Sequence, residues 1–435
     1  MPTTSYADQF AAALAAGEGP AWLPALRERA FARFHALGFP TTRDEDWHFT
    51  SVTPIAERTF KAIRPAATTL TLADLEAHLL DPDWHRLVFV NGRLEPALST
   101  FAGLPAEVQV STLSEALREQ PEWVQKHLGT LAAFDTAAFT ALNTAFMQDG
   151  VVVRVPKGEV VEVALHILHV TDAQAQGAAI HPRLLVVAEP LAQLTLVESH
   201  VAVGAPSYLV NAVAEISVAN GARVDHYKLQ RESAEAYHVG TVQVTQGRDS
   251  IYHSFSFAEG AALSRTNVYT KLAGTGSEAR LNGLYVLDGA QHADHQTFVE
   301  HLAEACASRE LYKGILDGES HGVFNGKVYV DPVAQRTDGK QTNKALILSE
   351  KARVDTKPQL EIFADDVKCT HGATVGRLEQ LPLFYLKSRG IGAENARALL
   401  TYAFAAEVLE TIEVDALRVT LEKAIFERFT HHRMD

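Results

Sequence analysis

The chain has 435 residues, enough for two or three domains with large buried cores. Apolar side chains make up 47% and charged ones 21%, which excludes a disordered chain, and the net charge of −14 speaks against a general nucleic-acid binder. Two cysteines cannot form a disulfide framework and suit a reducing compartment. The start "MPTTSYADQF" lacks the pattern of a secretory signal, and no run of about 18 apolar residues predicts a membrane span. A cytoplasmic protein without membrane or nucleic-acid partners is expected.

The first 149 residues read as a mixed, mostly helical N-terminal domain. "PAWLPALRERAFARFHALGFP" (20–40) places Leu23, Leu26, Ala30, Phe31 and Phe34 near helical spacing, and Gly38 and Pro40 end the helix. "LSEALREQPEWVQKHL" (113–128) and "DTAAFTALNTAFM" (135–147) predict further helices, and "RLVFVNGRL" (86–94) a short strand.

Residues 150–376 have a different texture. Short alternating runs such as "RLLVVA", "QLTLVESHVAV", "RVDHYKL", "IYHSFSF" and "GKVYV" follow one another, punctuated by Gly, Asn and Asp. Gly221, Gly247 and Gly274 each follow a strand pattern and are 26 and 27 residues apart. The spacing is compatible with turns of a parallel β-helix, and a sandwich or barrel also accommodates these strands. Residues 377–435 return to helix. "AENARALLTYAFAAEVLETI" (393–412) is rich in helix formers, and in "DALRVTLEKAIFERF" (415–429) Leu417, Leu421, Ile425 and Phe429 recur every four residues behind a capping Asp415. Such helices could cap a solenoid or dock a partner.

Few motifs carry chemistry. "GESHG" (318–322) matches the hydrolase pattern G-x-S-x-G, but strand patterns flank it on both sides, where the elbow needs a following helix. "GVFNGK" and "DGKQ" do not make a P-loop, so the chain is not expected to bind ATP itself. Asp365 and Asp366 are adjacent, which on a strand would send them to opposite faces; a β-helix carbohydrate-active enzyme, which needs clustered carboxylates, is a minor alternative. In "QHADHQTFVEH" (291–301), His292, His295 and His301 are good ligand types with Cys306 close behind, but they read best as polar strand residues on a solvent face.

"CTHGATVG" (369–376) is the sharper candidate. On a strand, Cys369 and His371 share a face about 7 Å apart and could reach one metal; a buried thiol beside a hydrogen-bonded histidine is the plainer reading. An iron–sulfur cluster takes four cysteines, or two cysteines and two histidines. Cys306 and Cys369 are the only cysteines, so a second chain would have to supply most ligands of any cluster.

From residue 292 onward the sequence resembles the SufB/SufD family of iron–sulfur cluster assembly scaffolds. "SRELYKGILDG" (308–318), "VFNGKVYVDPVAQRTDGKQTN" (323–343), "ALILSEKARVDTKPQLEIFADDVKCTHGATVG" (345–376) and "LFYLKSRGI" (383–391) carry the resemblance. "LGFPTTRDEDWHFT" (37–50) is similar to the N-terminal segment of the SufD branch. Gly372, where the SufB branch typically has Glu, and the shortage of cysteine point the same way.

The resemblance implies a mainly β fold with helical ends: a right-handed parallel β-helix core (150–376) between an N-terminal helical domain (1–149) and a C-terminal helical domain (377–435). It implies a non-enzymatic SufD-like scaffold subunit of a SufB–SufC–SufD complex. A SufB-like scaffold would pair through the β-helix end. A SufC-like ABC ATPase, the enzyme of the complex, would dock on the C-terminal helices. His371 matches the family histidine implicated in building a nascent cluster with SufB, and Cys369 matches the motif cysteine, a weaker ligand candidate. No cofactor would be held stably by the chain alone; iron or an iron–sulfur cluster would rest transiently at the partner interface. A structural subunit whose His371 only packs is the alternative within the family. An unpaired sheet end is compatible with a homodimer of the isolated chain.

Overall fold

A computed structural model describes residues 2–15, 17, 19–63, 66–100 and 104–431. Two parallel sheets face each other and make a parallel β-helix with helices at both ends of the chain. One sheet stacks Arg183–Ala188, Leu209–Val218, Tyr237–Gln246, Leu263–Leu272, His292–His301, His321–Val330 and Arg353–Ile362. The other stacks Leu165–Thr171, Gln193–Ala202, Arg223–Glu232, Ile251–Gly260, Glu278–Leu287, Ala307–Leu316, Thr337–Ile347 and Val367–Gly376. Strands consecutive in the chain lie in opposite sheets, so each pair makes one turn of the solenoid.

The stacking is in register. Arg223 pairs with Ile251, Ile251 with Glu278 and Glu278 with Ala307, steps of 28, 27 and 29 residues. The spaced glycines belong to the stacked turns between these strands. Gly221 has a φ of +67° and donates its N–H to the Arg248 carbonyl one turn on, at 2.8 Å. A side chain on Gly274 would begin 2.0 Å from the backbone nitrogen of Arg248, so only Gly lets the turns approach this closely.

Leu194, Leu196, Val224, Tyr252, Val242, Leu281 and Val299 fill one part of the interior. Another part is polar, with Glu198, Lys228, His200 and His238 all buried. The outer faces are covered as well, which is why few strands show a clean polar face.

Residues before 150 do more than supply helices. His85–Val90 extends one sheet beside Leu165–Thr171, and Gln109–Thr112 closes the other, antiparallel to Gly150–Val155. The helices Leu23–Leu37 and Ala138–Phe146 share a core of Ala30, Phe34, Leu142 and Phe146. A buried ion pair joins this region to the solenoid. Arg183 bonds Glu215, Asn143 and Thr144, while Glu215 accepts from the backbone N–H groups of Gly129, Leu131 and Ala132.

The C-terminal helices Gln380–Ser388, Ala393–Leu409 and Asp415–His431 follow the last strand. Ala405, Val408, Leu417, Leu421 and Ile425 pack on Tyr227, Leu229, Phe255, Phe257 and Val286. The four-residue stripe is therefore the docking face, with Phe429 at its margin. The helices lie along the flank of the solenoid and leave its end open. Lys313 pins them, donating to the Phe404 carbonyl at 2.6 Å and pairing with Glu407 at 2.5 Å. No described helix is long and apolar enough to cross a membrane.

Candidate functional site at the open end of the solenoid

Cys369 and His371 lie on Val367–Gly376, the last strand of its sheet. This strand pairs with Thr337–Ile347 on one edge, and no other described strand covers its free edge. Their shared parity sets both on the side that faces the solenoid interior in earlier turns. Cys369 pairs in register with Gly339, and His371 with Gln341. Cys369 is half-buried near Val328, Val330, Leu360 and Ile362. Its Sγ would sit 3.4 Å from a Cβ on Gly339, so that glycine keeps room beneath the thiol. Burial pushes the thiol pKa up, which disfavours the thiolate a metal needs until a cation or metal arrives. His371 is exposed.

The turn beneath is polar and closed. Gln341 is buried, and its Nε2 donates to Glu310 Oε1 at 3.1 Å. Thr297 Oγ1 donates to Glu310 Oε2 at 2.5 Å. Burial raises the Glu310 carboxyl to about 7 in spite of these two donors. Gln341 Oε1 is buried with no hydrogen-bond partner among the described residues. Beneath Gly339 in the same ladder, Ser308 is bonded to His301 Nε2 at 2.9 Å. Cys369 and His371 offer two donors from one strand, half of a four-ligand set.

The other sequence candidates are placed elsewhere. The expectation that His292, His295 and His301 lie on a solvent face is corrected. His295 and His301 are buried inside the solenoid, and His292 is covered by the N-terminal segment, with Nε2 at 2.9 Å from Thr50 Oγ1. His292 and His295 differ by an odd number of residues, so they face opposite sides and share no metal. His295 stacks on Tyr285 with ring centroids 5.1 Å apart. Cys306 is buried in the apolar core beside Ser277. Ser320 is buried, donates to the Asp317 carbonyl at 2.7 Å and is followed by a strand, so no nucleophile elbow forms. Asp365 and Asp366 lie in an exposed turn rather than on a strand.

Two clusters escaped the sequence. His169, Glu198 and His200 bring potential ligand atoms together inside the solenoid. The rings of His169 and His200 stack at 4.6 Å and 12°, however, so their lone pairs lie in separate, nearly parallel planes and do not converge on one ion. Glu198 accepts from His200 Nε2 at 2.6 Å, and Lys228 Nζ lies 2.9 Å from His238 Nε2. Asp225, His253 and Glu413 form the second cluster, and the Arg223 guanidinium already bonds all three.

A model of the SUF system FeS cluster assembly SufBD core domain matches residues 169–404, and one of the SufBD protein N-terminal region matches residues 3–167. The chain belongs to the SufBD family. An iron–sulfur cluster assembly SufBD family protein of Synechocystis is 34% identical over 95% of this chain and 92% of its own. The iron–sulfur cluster assembly protein SufD of Escherichia coli is 34% identical over 88% of this chain and 87% of its own. That of Bacillus subtilis is 28% identical over 93% and 94%. The SufBD core match contains the strand with Cys369 and His371, so the open rung belongs to the family's core domain.

Proposed function

We propose that the chain is a SufD-like scaffold subunit that assembles with a SufB-like scaffold and a SufC-like ATPase, and that it contributes part of a shared site for nascent iron–sulfur clusters. The cluster is cargo, not a resident cofactor. The observation that carries the reading is the open last rung, where His371 and Cys369 sit on a strand with a free edge and make an incomplete ligand set. A strand edge is a template for pairing with another chain. A second scaffold seated there would bring the missing donors to His371, and Cys369 would join them once its thiol is deprotonated.

The C-terminal helices are the proposed ATPase dock. Leu381, Phe384 and Tyr385 are exposed on Gln380–Ser388 at 77%, 70% and 56%. Exposed apolar patches of this kind mark interaction surfaces. The reading gives this chain no chemical step of its own. ATP-driven closure of the ATPase pair would be transmitted through the flank helices to the scaffold interface, which requires two interface arrangements of different nucleotide affinity.

The test is co-expression with SufB- and SufC-like partners, anaerobic isolation of the complex, and iron and sulfide analysis of wild type against His371→Ala. Loss of cluster supports the shared site. Equal cluster content removes His371 from it, and failure to co-purify with any ATPase removes the scaffold reading.

A further inference from the structure

The last closed turn contains a carbonyl oxygen with nothing to bond. Gln341 is 2% exposed, and its Oε1 is buried without a partner among the described residues. An orphaned buried acceptor costs about 1–3 kcal/mol, so it calls for an occupant. The amide does not satisfy it by turning over. Its Nε2 is engaged with Glu310 Oε1 at 3.1 Å, and the other Glu310 oxygen is taken by Thr297 Oγ1 at 2.5 Å. With the Glu310 carboxyl ionised, as at pH 8, a turned amide would set two acceptors, Gln341 Oε1 and Glu310 Oε1, against each other. Gly326 makes the arrangement possible, because a side chain there would begin 2.3 Å from Gln341 Nε2. Glu310, Thr297 and Gly326, from three strands, thus fix the amide with its nitrogen toward Glu310. The residue in register with Gln341 on the next and last strand is His371. Adjacent strands in a sheet lie about 4.8 Å apart, within reach of a hydrogen bond between side chains of this length.

We propose that Gln341 is a positioning residue for His371: its Oε1 accepts the N–H of one ring nitrogen and so leaves the lone pair of the other free for a ligand. Glu310 and Thr297 hold Gln341 in the orientation this needs. Metal-binding histidines generally give their second ring nitrogen to such an acceptor, which sets the tautomer and the ring direction. Here the acceptor belongs to the chain's own interior and is in place before any partner arrives. The consequence for iron rests on the proposed role of His371; the tautomer does not.

The test reads the tautomer on the full chain without partners or iron. Histidine labelled with 15N is followed by NMR at pH 8, where a free imidazole is neutral, and the His371 signals are identified by their absence in His371→Ala. In the wild type one ring nitrogen should resonate as protonated and the other as bare. In Gln341→Met, similar in length and without the acceptor, the two signals should move toward each other as both tautomers are populated. An averaged pair in the wild type overturns the proposal without any variant, as does an unchanged pair in Gln341→Met that keeps the wild-type fold by circular dichroism. In the assembled complex, Gln341→Met should retain about ten-fold less iron if His371 is a ligand. Loss of cluster in His371→Ala decides that second point separately.

Discussion

Gln341 and His371 are register partners on the last two strands of one sheet, one sealed inside the solenoid and the other open to solvent. The boundary between closed and open turns falls between them. It separates what the chain completes alone from what it leaves for a partner.

The two cysteines should react very differently. Cys306 is buried in the core, and Cys369 is half-buried at the open end with its pKa raised by burial. Iodoacetamide at pH 8 should label Cys369 first, more slowly than free cysteine, and Cys306 only after denaturation. Peptide mass spectrometry checks this; early labelling of Cys306 would mean that the core around Ser277 is open.

Acid should weaken the fold. Burial holds His166, His169 and His181 near 3 and His295 and His301 near 4, against 6.5 when unfolded. Above pH 6.5 these groups are neutral in both states and their contribution is fully present. As pH falls below 6.5 the unfolded chain binds protons that the folded chain refuses, and stability drops. Glu310 acts in the opposite sense, since its raised value of about 7, against 4.5, favours the fold below pH 4.5 and loses that contribution as pH rises through 7. Five histidines against one carboxyl leave a net loss on acidification. The urea midpoint should fall between pH 6.5 and pH 5, and a midpoint at pH 5 equal to that at pH 8 would refute this.

Arg183→Met should be among the most damaging single changes away from the site. Both partners of the Arg183–Glu215 pair are fully buried, and removing one leaves the other charge unpaired. The loss should be about 3–5 kcal/mol by chemical denaturation. A loss below about 1 kcal/mol would show that the backbone N–H groups around Glu215 suffice to hold its charge.

The flank helices should depend on Leu421. It is buried against the outer face of the solenoid, and Leu421→Ala should cost about 2–5 kcal/mol. Leu421→Asp should release the helices, so that limited proteolysis cuts between residues 388 and 393 while the β-rich core survives. The same variant should no longer capture the ATPase.

Much of this organisation was legible in the residues. The glycines at 221, 247 and 274 marked stacked turns: Gly221 has a positive φ, and a side chain on Gly247 or Gly274 would meet the neighbouring backbone. The stripe Leu417, Leu421, Ile425 marked a docking face because the helix period is short and local. The interior of the solenoid was not legible. His295, His301 and Gln341 sit in stretches rich in polar and charged residues, as solvent-facing groups do, and only the closure of two sheets turns them inward. Gln341 was missed as part of the site for the same reason, since its partner Glu310, and Thr297 that bonds Glu310, come from other turns. Cys369 and His371 stood out because cysteine is scarce, but the free edge beside them is a property of the sheet, not of the motif.

The most direct measurement is the iron and sulfide content of the complex formed with SufB- and SufC-like partners and isolated without oxygen, for wild type and His371→Ala side by side. A shared site predicts full assembly of both complexes and cluster only in the wild type. Equal cluster in both complexes would contradict it and leave the open rung with a structural role alone.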